Sequence, residues 1–137
     1  MTHHTSADWN AITYSLLRFV SGFLFIFHGL QKMFGMFGGH QAALGTMPGM
    51  AGLIETIAGT LIMIGLFTSV AAFIASGEMA VAYFMMHAPN GSVPLQNGGE
   101  LAALYCFLFL YVAARGDGRY SVGAAVGRAP LTRRVGA

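Results

Sequence analysis

Four long apolar stretches, nearly free of charge, constrain the fold of this chain more than any other feature. They cover about residues 12–34, 49–67, 69–87 and 98–114, and glycine, proline or polar clusters separate them. Each stretch is therefore near the length of an α-helix that crosses a hydrocarbon core of about 30 Å. A membrane β-barrel needs at least about eight alternating strands, more than a chain this short comfortably supplies. We therefore predict an all-α bundle of four transmembrane helices in a lipid bilayer.

Charge is scarce and unevenly placed. Only 9% of the 137 residues are charged, whereas about a quarter are charged in typical soluble domains. This composition excludes a disordered chain and a nucleic-acid-binding protein with a basic face. It also excludes a disulfide-stapled secreted domain, because Cys106 is the single cysteine.

Six of the charged residues fall at the carboxyl end and predict the orientation of the chain. Residues 116–137 form a basic tail, while the loops at about 35–48 and 88–97 contain no lysine, arginine or carboxylate. By the positive-inside rule, both termini are expected in the cytoplasm. We therefore divide the chain into a short amino-terminal tail, 1–11, a membrane domain, 12–115, and a cytoplasmic tail, 116–137.

Ionisable side chains inside the predicted spans are the candidate site, because each is costly in a membrane unless it is paired or hydrated. At 1.5 Å per residue, His28, Glu55 and Glu78 reach similar depths in the outer half of the bundle, with Lys32 above them. Arg18 lies near the cytoplasmic boundary, where we expect it to extend to the lipid headgroups. The groups either line a polar cavity open to the outer face or only tie helices together.

Two residues at the outer rim also have structural explanations. Asn97 and Glu100 have the spacing of a capping box, which would place Glu100 at the start of the fourth helix. His87 precedes a helix end before Pro89, where the helix dipole favours a histidine. On a regular helix it lies opposite Glu78, so the two share a site only if the last turn unwinds.

Two cofactor alternatives stay open, although no clear metal site is predicted. Methionine pairs bracket the first outer loop around His40, and thioethers can bind Cu(I); these pairs are Met33, Met36, Met47 and Met50. His28 and His87 could serve as axial ligands of a non-covalent haem.

Four segments together resemble the DoxX family of small bacterial membrane proteins. They are RFVSGFLFIFHGLQKMFG (18–35), GLIETIAGTLIMIGLFT (52–68), EMAVAYFMMH (78–87) and NGGELAALYCFLF (97–109). The resemblance implies a four-helix protein of the bacterial inner membrane that is associated with quinone-linked oxidoreductases. The positions that match the recurrent polar pattern of the family are His28, Lys32, Glu55, Glu78, His87, Asn97 and Glu100.

We therefore expect a membrane component of a quinone-linked redox system. His28, Glu55 and Glu78 would contact the quinone or relay protons, and Lys32 would balance charge. The expected partners are the bilayer and a membrane or redox protein, without nucleic acid, and a homo-oligomer is left open. The alternatives are a non-catalytic membrane anchor or partner protein and a small proton-coupled transporter.

Overall fold

The computed structural model describes residues 6–127, and all regular secondary structure in that range is helical. Three segments are long and apolar enough to cross a membrane, Ser6–Phe34, Met47–Ile64 and Thr68–Asn90. This confirms the predicted all-α class and the presence of spanning helices. Arg128, Arg133 and Arg134, on which the charge of the predicted tail largely depends, lie outside the described residues.

The connection between α1 and α2 covers residues 35–46, whereas those between the later helices are shorter. Helix α1 is Ser6–Phe34, α2 is Met47–Ile64 and α3 is Thr68–Ala82; a π-helical turn, Tyr83–His87, and a 3-10 turn, Ala88–Asn90, prolong α3. A short helix α4, Pro94–Asn97, precedes α5, Glu100–Arg115, and α6, Val122–Ala125, ends the described chain. Helix α1 begins earlier than the predicted span, so residues 6–11 of the predicted tail are helical. With 16 residues, α5 is shorter than the three candidate spans.

Helices α1 and α2 are antiparallel and approach closely along glycines. A Cβ atom on Gly22 would lie 2.5 Å from the backbone nitrogen of Met63 and 2.7 Å from the carbonyl oxygen of Gly59. Gly29 makes the same kind of contact with Gly52, whose carbonyl oxygen would lie 2.9 Å from its Cβ. Small residues let membrane helices pack backbone against backbone, so these glycines fix the register of α1 against α2.

Aromatic rings close the bundle between α1 and α5. The ring of Phe25, which is fully buried, lies 4.8 Å from that of Phe109 and 5.4 Å from that of Tyr105. Helix α3 packs against α5 on another side, where the Ser76 hydroxyl donates to the carbonyl of Cys106 at 2.7 Å. The core is therefore aromatic at its centre and lined by small residues where helices meet.

The chain turns sharply between α2 and α3. Gly65 ends α2 in the left-handed conformation, with φ of 73°, and its N–H donates to the carbonyls of Leu61 and Ile62. The Leu66 N–H also donates to the Leu61 carbonyl, which completes a Schellman motif. A tight turn therefore joins α2 to α3.

Arg18 lies at this turn rather than at the headgroups, so the prediction that it extends to the membrane surface is wrong. Only 3% of the residue is exposed. Its guanidinium donates to the carbonyls of Ile62 at 2.6 Å, Met63 at 2.9 Å and Tyr120 at 2.8 Å. The last carbonyls of a helix have no partner within the helix, so Arg18 supplies donors to the end of α2 and joins it to the chain after α5.

Two further contacts anchor the segment that follows α5. The Tyr14 hydroxyl of α1 donates to the carbonyl of Gly116 at 2.5 Å, and the Asp117 carboxylate accepts the N–H of Thr68 at 2.9 Å. We call the end of the bundle that contains these residues and the α2–α3 turn the Arg18 end. The opposite end, with Lys32 and the starts of α2 and α5, is the Lys32 end.

Substitution of Gly22 by alanine is expected to destabilise the protein by about 2 kcal/mol, because the new methyl group meets backbone atoms that cannot move independently. Gly77→Ala is the matched control, since a Cβ there meets nothing within 4 Å and alanine is the better helix former. Thermal unfolding in detergent should show a lower Tm for Gly22→Ala alone. Equal Tm values for the two variants would contradict the close packing.

Arg18→Lys is expected to lower the free energy of unfolding by about 2 kcal/mol although it keeps the charge. A single ammonium group cannot reproduce the planar fork that reaches two α2 carbonyls and the carbonyl of Tyr120. Denaturant titration in mixed micelles measures the loss. Arg119→Lys serves as the control, because its side chain is 65% exposed and a lysine can keep the surface ion pair with Asp8. Wild-type stability in Arg18→Lys would show that the charge alone suffices.

Candidate functional site

A buried ion pair between α1 and α2 lies at the centre of the site. The Lys32 ammonium donates to Oε1 of Glu55. Only 1% of the Glu55 side chain is exposed, against 31% for Lys32. A Cβ on Gly52, one turn before Glu55 in α2, would lie 2.8 Å from the Cβ of Lys32. The missing side chain at Gly52 therefore leaves the space through which Lys32 reaches Glu55.

Glu78 of α3 is the third charged member of this group. It interacts electrostatically with both Glu55 and Lys32. Its Oε2 atom is buried and has no hydrogen-bond partner among the described residues, and the same holds for Oε2 of Glu55. The described hydrogen bond of Lys32 thus goes to Glu55, and Glu55 and Glu78 each keep one buried oxygen without a partner among the described residues.

His28 lies one helical turn before Lys32 on the same face of α1, and the two side chains interact electrostatically. The His28 ring is half-buried and stands edge-on to the ring of Tyr105 in α5, with 6.4 Å between ring centroids. The site therefore has contributions from α1, α2 and α3, and its contact with α5 is through Tyr105. We refer to His28, Lys32, Glu55 and Glu78 as the acid–base cluster.

Two other predicted residues, His87 and Asn97, contact each other instead. Nδ1 of His87 lies 3.3 Å from the carbonyl oxygen of Asn97, to which it can donate. The Asn97 amide donates to the carbonyl of Gly91 at 2.8 Å, and its oxygen accepts the N–H of Gly99 at the same distance. The Asn97 amide nitrogen also lies 3.4 Å from the Tyr83 hydroxyl, to which it donates. Together these hydrogen bonds stabilise the connection between α3 and α5.

Glu100 begins α5, as predicted, but it does not close a capping box with Asn97, so the capping box is wrong. The N-cap residue of α5 is Gly99, which has no side chain to cap the helix. The Asn97 oxygen accepts from the N–H of Gly99 rather than from that of Glu100. Glu100 is exposed in the first turn of α5, where the helix dipole favours a negative charge.

The last turn before His87 departs from α-helical geometry. On a regular α-helix His87 would lie opposite Glu78, so the sequence predicted that the two could share a site only if this turn unwinds. Residues Tyr83–His87 form a π-helical turn, and such turns often occur at functional sites. The additional residue rotates His87 away from its regular position opposite Glu78. Its observed contact is with Asn97.

The sequence missed the polar contacts at the Arg18 end. Tyr14, Asp117 and Ser121 were not singled out as helix-joining residues, although their side chains bond to backbone groups distant in sequence or cap α6. Neither hydropathy nor helical periodicity reports such contacts, because they depend on how the helix ends meet.

Within residues 6–127, no three side chains of His, Cys, Asp or Glu come together as a metal site.

The chain matches the DoxX family over residues 13–88. It is 46% identical over 111 residues to a protein of Haemophilus influenzae described as uncharacterized, and the alignment covers 76% of this chain and 83% of that protein. No solved structure matches the chain. The protein therefore belongs to the DoxX family and is a membrane protein. The family match includes the whole acid–base cluster and His87, and it ends before Asn97 and Glu100.

A double-mutant cycle on Lys32 and Glu55 tests the ion pair. Lys32→Met is expected to cost about 2 kcal/mol of unfolding free energy, because it leaves a buried carboxyl group without its cation while the lysine itself is partly exposed. Glu55→Met in the same background should recover part of this loss. Unfolding in detergent measures all four proteins, with Glu100→Gln as an exposed control. Strictly additive losses would show that the two groups do not interact.

Proposed function

We propose that this protein is a four-span component of a quinone-linked redox system in the bacterial inner membrane. In this proposal α5 is the fourth span and both termini face the cytoplasm. The acid–base cluster then lies in the half of the membrane away from the cytoplasm. Two observations support the proposal: the chain belongs to the DoxX family, and the cluster contains acidic and basic side chains inside the helical bundle.

The orientation is supported by the arginines at the Arg18 end. Arg115 ends α5 and Arg119 follows it, and both are exposed. The connection 35–46, at the Lys32 end, contains no lysine or arginine. Cytoplasmic loops carry the excess of basic residues in membrane proteins, so the Arg18 end is assigned to the cytoplasm.

The unpartnered Oε2 of Glu78 is the single observation that carries the redox proposal. A buried polar atom without a partner is costly, and a buried net charge costs more. The cluster contains one lysine and two carboxyl groups. It is therefore neutral when one carboxyl group holds a proton and His28 is uncharged. It can therefore store a proton within the membrane domain and release it to a bound molecule.

The chemistry of these side chains fits a quinone. A protonated carboxyl group or the Lys32 ammonium can donate a hydrogen bond to a carbonyl oxygen, and a carboxylate can accept one from a hydroxyl. When bound, a quinone supplies two-electron redox chemistry that takes up two protons. In this proposal, Glu78 and His28 exchange those protons while Lys32 and Glu55 hold the charge balance.

Two changes at Glu78 test its polar contact with the quinone. Glu78→Gln keeps the shape and a donor group, so decylubiquinone should bind to the protein in nanodiscs within about threefold of wild type. Glu78→Leu removes every polar contact and should weaken binding about tenfold, as expected for loss of a hydrogen bond to a charged group. Isothermal titration measures both, and Glu100→Gln is the exposed control.

Other outcomes would redirect the assignment. Wild-type protein that binds no quinone would overturn the proposal. Glu78-dependent proton flux in sealed vesicles without quinone binding would indicate a transporter. If neither binding nor flux occurs and the protein still co-purifies with a membrane partner after Glu78→Leu, a non-catalytic anchor is the better assignment.

A further inference from the structure

A groove without polar walls runs along the outside of the bundle between α2 and α3. Its volume is about 220 Å³. Ile54, Ile57 and Leu61 contribute from α2, and Val70, Ala71 and Ile74 contribute from α3. Ile57, Val70 and Ile74 are each about half exposed or more. The groove therefore opens to the surroundings of the helices.

One end of this groove lies one helical turn from Glu78 of the acid–base cluster. Helices α2 and α3 are antiparallel neighbours joined by the short turn after Ile64. Glu55 directly follows Ile54 in α2 and so lies at the same level, but it faces α1, where it binds Lys32. Glu78 lies four residues after Ile74, one turn further along the same face of α3. The apolar walls thus end on both helices at the level where the two carboxyl groups begin.

We infer that this groove holds the hydrocarbon tail of an isoprenoid quinone whose ring lies at the acid–base cluster. The inference rests on the proposed function and adds the subsite that positions the tail. A chain leaving the cluster between Glu78 and Ile54 enters the groove directly and runs toward the α2–α3 turn.

The size and polarity of the groove favour a tail rather than a complete ligand. Pockets that enclose a whole small molecule usually measure about 300–1,000 Å³, and this groove is smaller. It offers no polar side chain to orient a ring. A single flexible chain suits both properties, and the polar ring is left to the side chains at its end.

The groove contributes position more than hydrophobic driving force. A tail outside the protein is already surrounded by lipid of similar polarity, so its transfer into the groove gains mainly from packing. The groove therefore fixes the depth and direction of the tail. Filling it should selectively weaken binding of a quinone that carries a tail.

Two neighbouring tryptophan substitutions on α3 provide the test. Ile74→Trp places a large ring in the groove, whereas Phe73→Trp changes an adjacent exposed residue that does not line it. The probes are decylubiquinone and the same benzoquinone ring without a tail, each titrated against the protein in nanodiscs. Ile74→Trp should weaken binding of the tailed probe about fivefold, or about 1 kcal/mol. Binding of the ring alone should stay unchanged, and Phe73→Trp should alter neither.

A photoreactive group at the end of the tail gives an independent readout by mass spectrometry. Labelled peptides should come from residues 53–74, and labelling confined to other parts of the chain would overturn the inference. Equal affinity of the tailed probe for Ile74→Trp and wild type would overturn it as well. If Glu78→Leu still weakens binding in that case, the proposed function survives. If wild type binds neither probe, the proposed function fails too.

Discussion

The backbone contact between α1 and α2 is the constraint on which the rest of the structure depends. Gly22 and Gly29 face Gly59 and Gly52 so closely that a methyl group at any of them would meet neighbouring atoms. In a membrane, helices gain little from hydrophobic association and are held by packing and by interhelical polar contacts. The glycine contact supplies this packing and sets the register that brings Lys32 to Glu55.

The two ends of the bundle use polar groups in different ways. At the Arg18 end, every hydrogen bond described for the guanidinium goes to a backbone carbonyl, and the result is a fixed junction between helix ends. In the acid–base cluster, Glu55 and Glu78 each keep a buried oxygen without a partner. Arg18 Nε and the Thr68 hydroxyl also lack a hydrogen-bond partner among the described residues. A guanidinium keeps its charge and a threonine hydroxyl does not ionise, whereas a carboxyl oxygen can take up a proton. The capacity to hold a proton therefore separates the acid–base cluster from the Arg18 end.

Much of the site could be predicted because ionisable residues in apolar helices are rare, and depth follows from residue number. The proximity of Lys32, Glu55 and Glu78 follows from that arithmetic once the helices are antiparallel. The spacing of Asn97 and Glu100 predicted a capping box that the structure does not contain. Cap geometry depends on the backbone conformation of residues 97–99, and sequence spacing does not report that conformation. Arg18 was misassigned for a similar reason, since depth gave its level but not its carbonyl partners.

The sequence by itself determined the all-α class, the apolar spans and the residues available for acid–base chemistry. These depend on hydropathy and on the constant rise of about 1.5 Å per residue along an α-helix. The tertiary structure decided how these residues are partnered. It paired Lys32 with Glu55, left an oxygen of Glu78 without a hydrogen bond from any described residue, and directed His87 to Asn97 through a π-helical turn. Such partnerships depend on close approach and rotation of whole helices, and local sequence patterns do not contain that information.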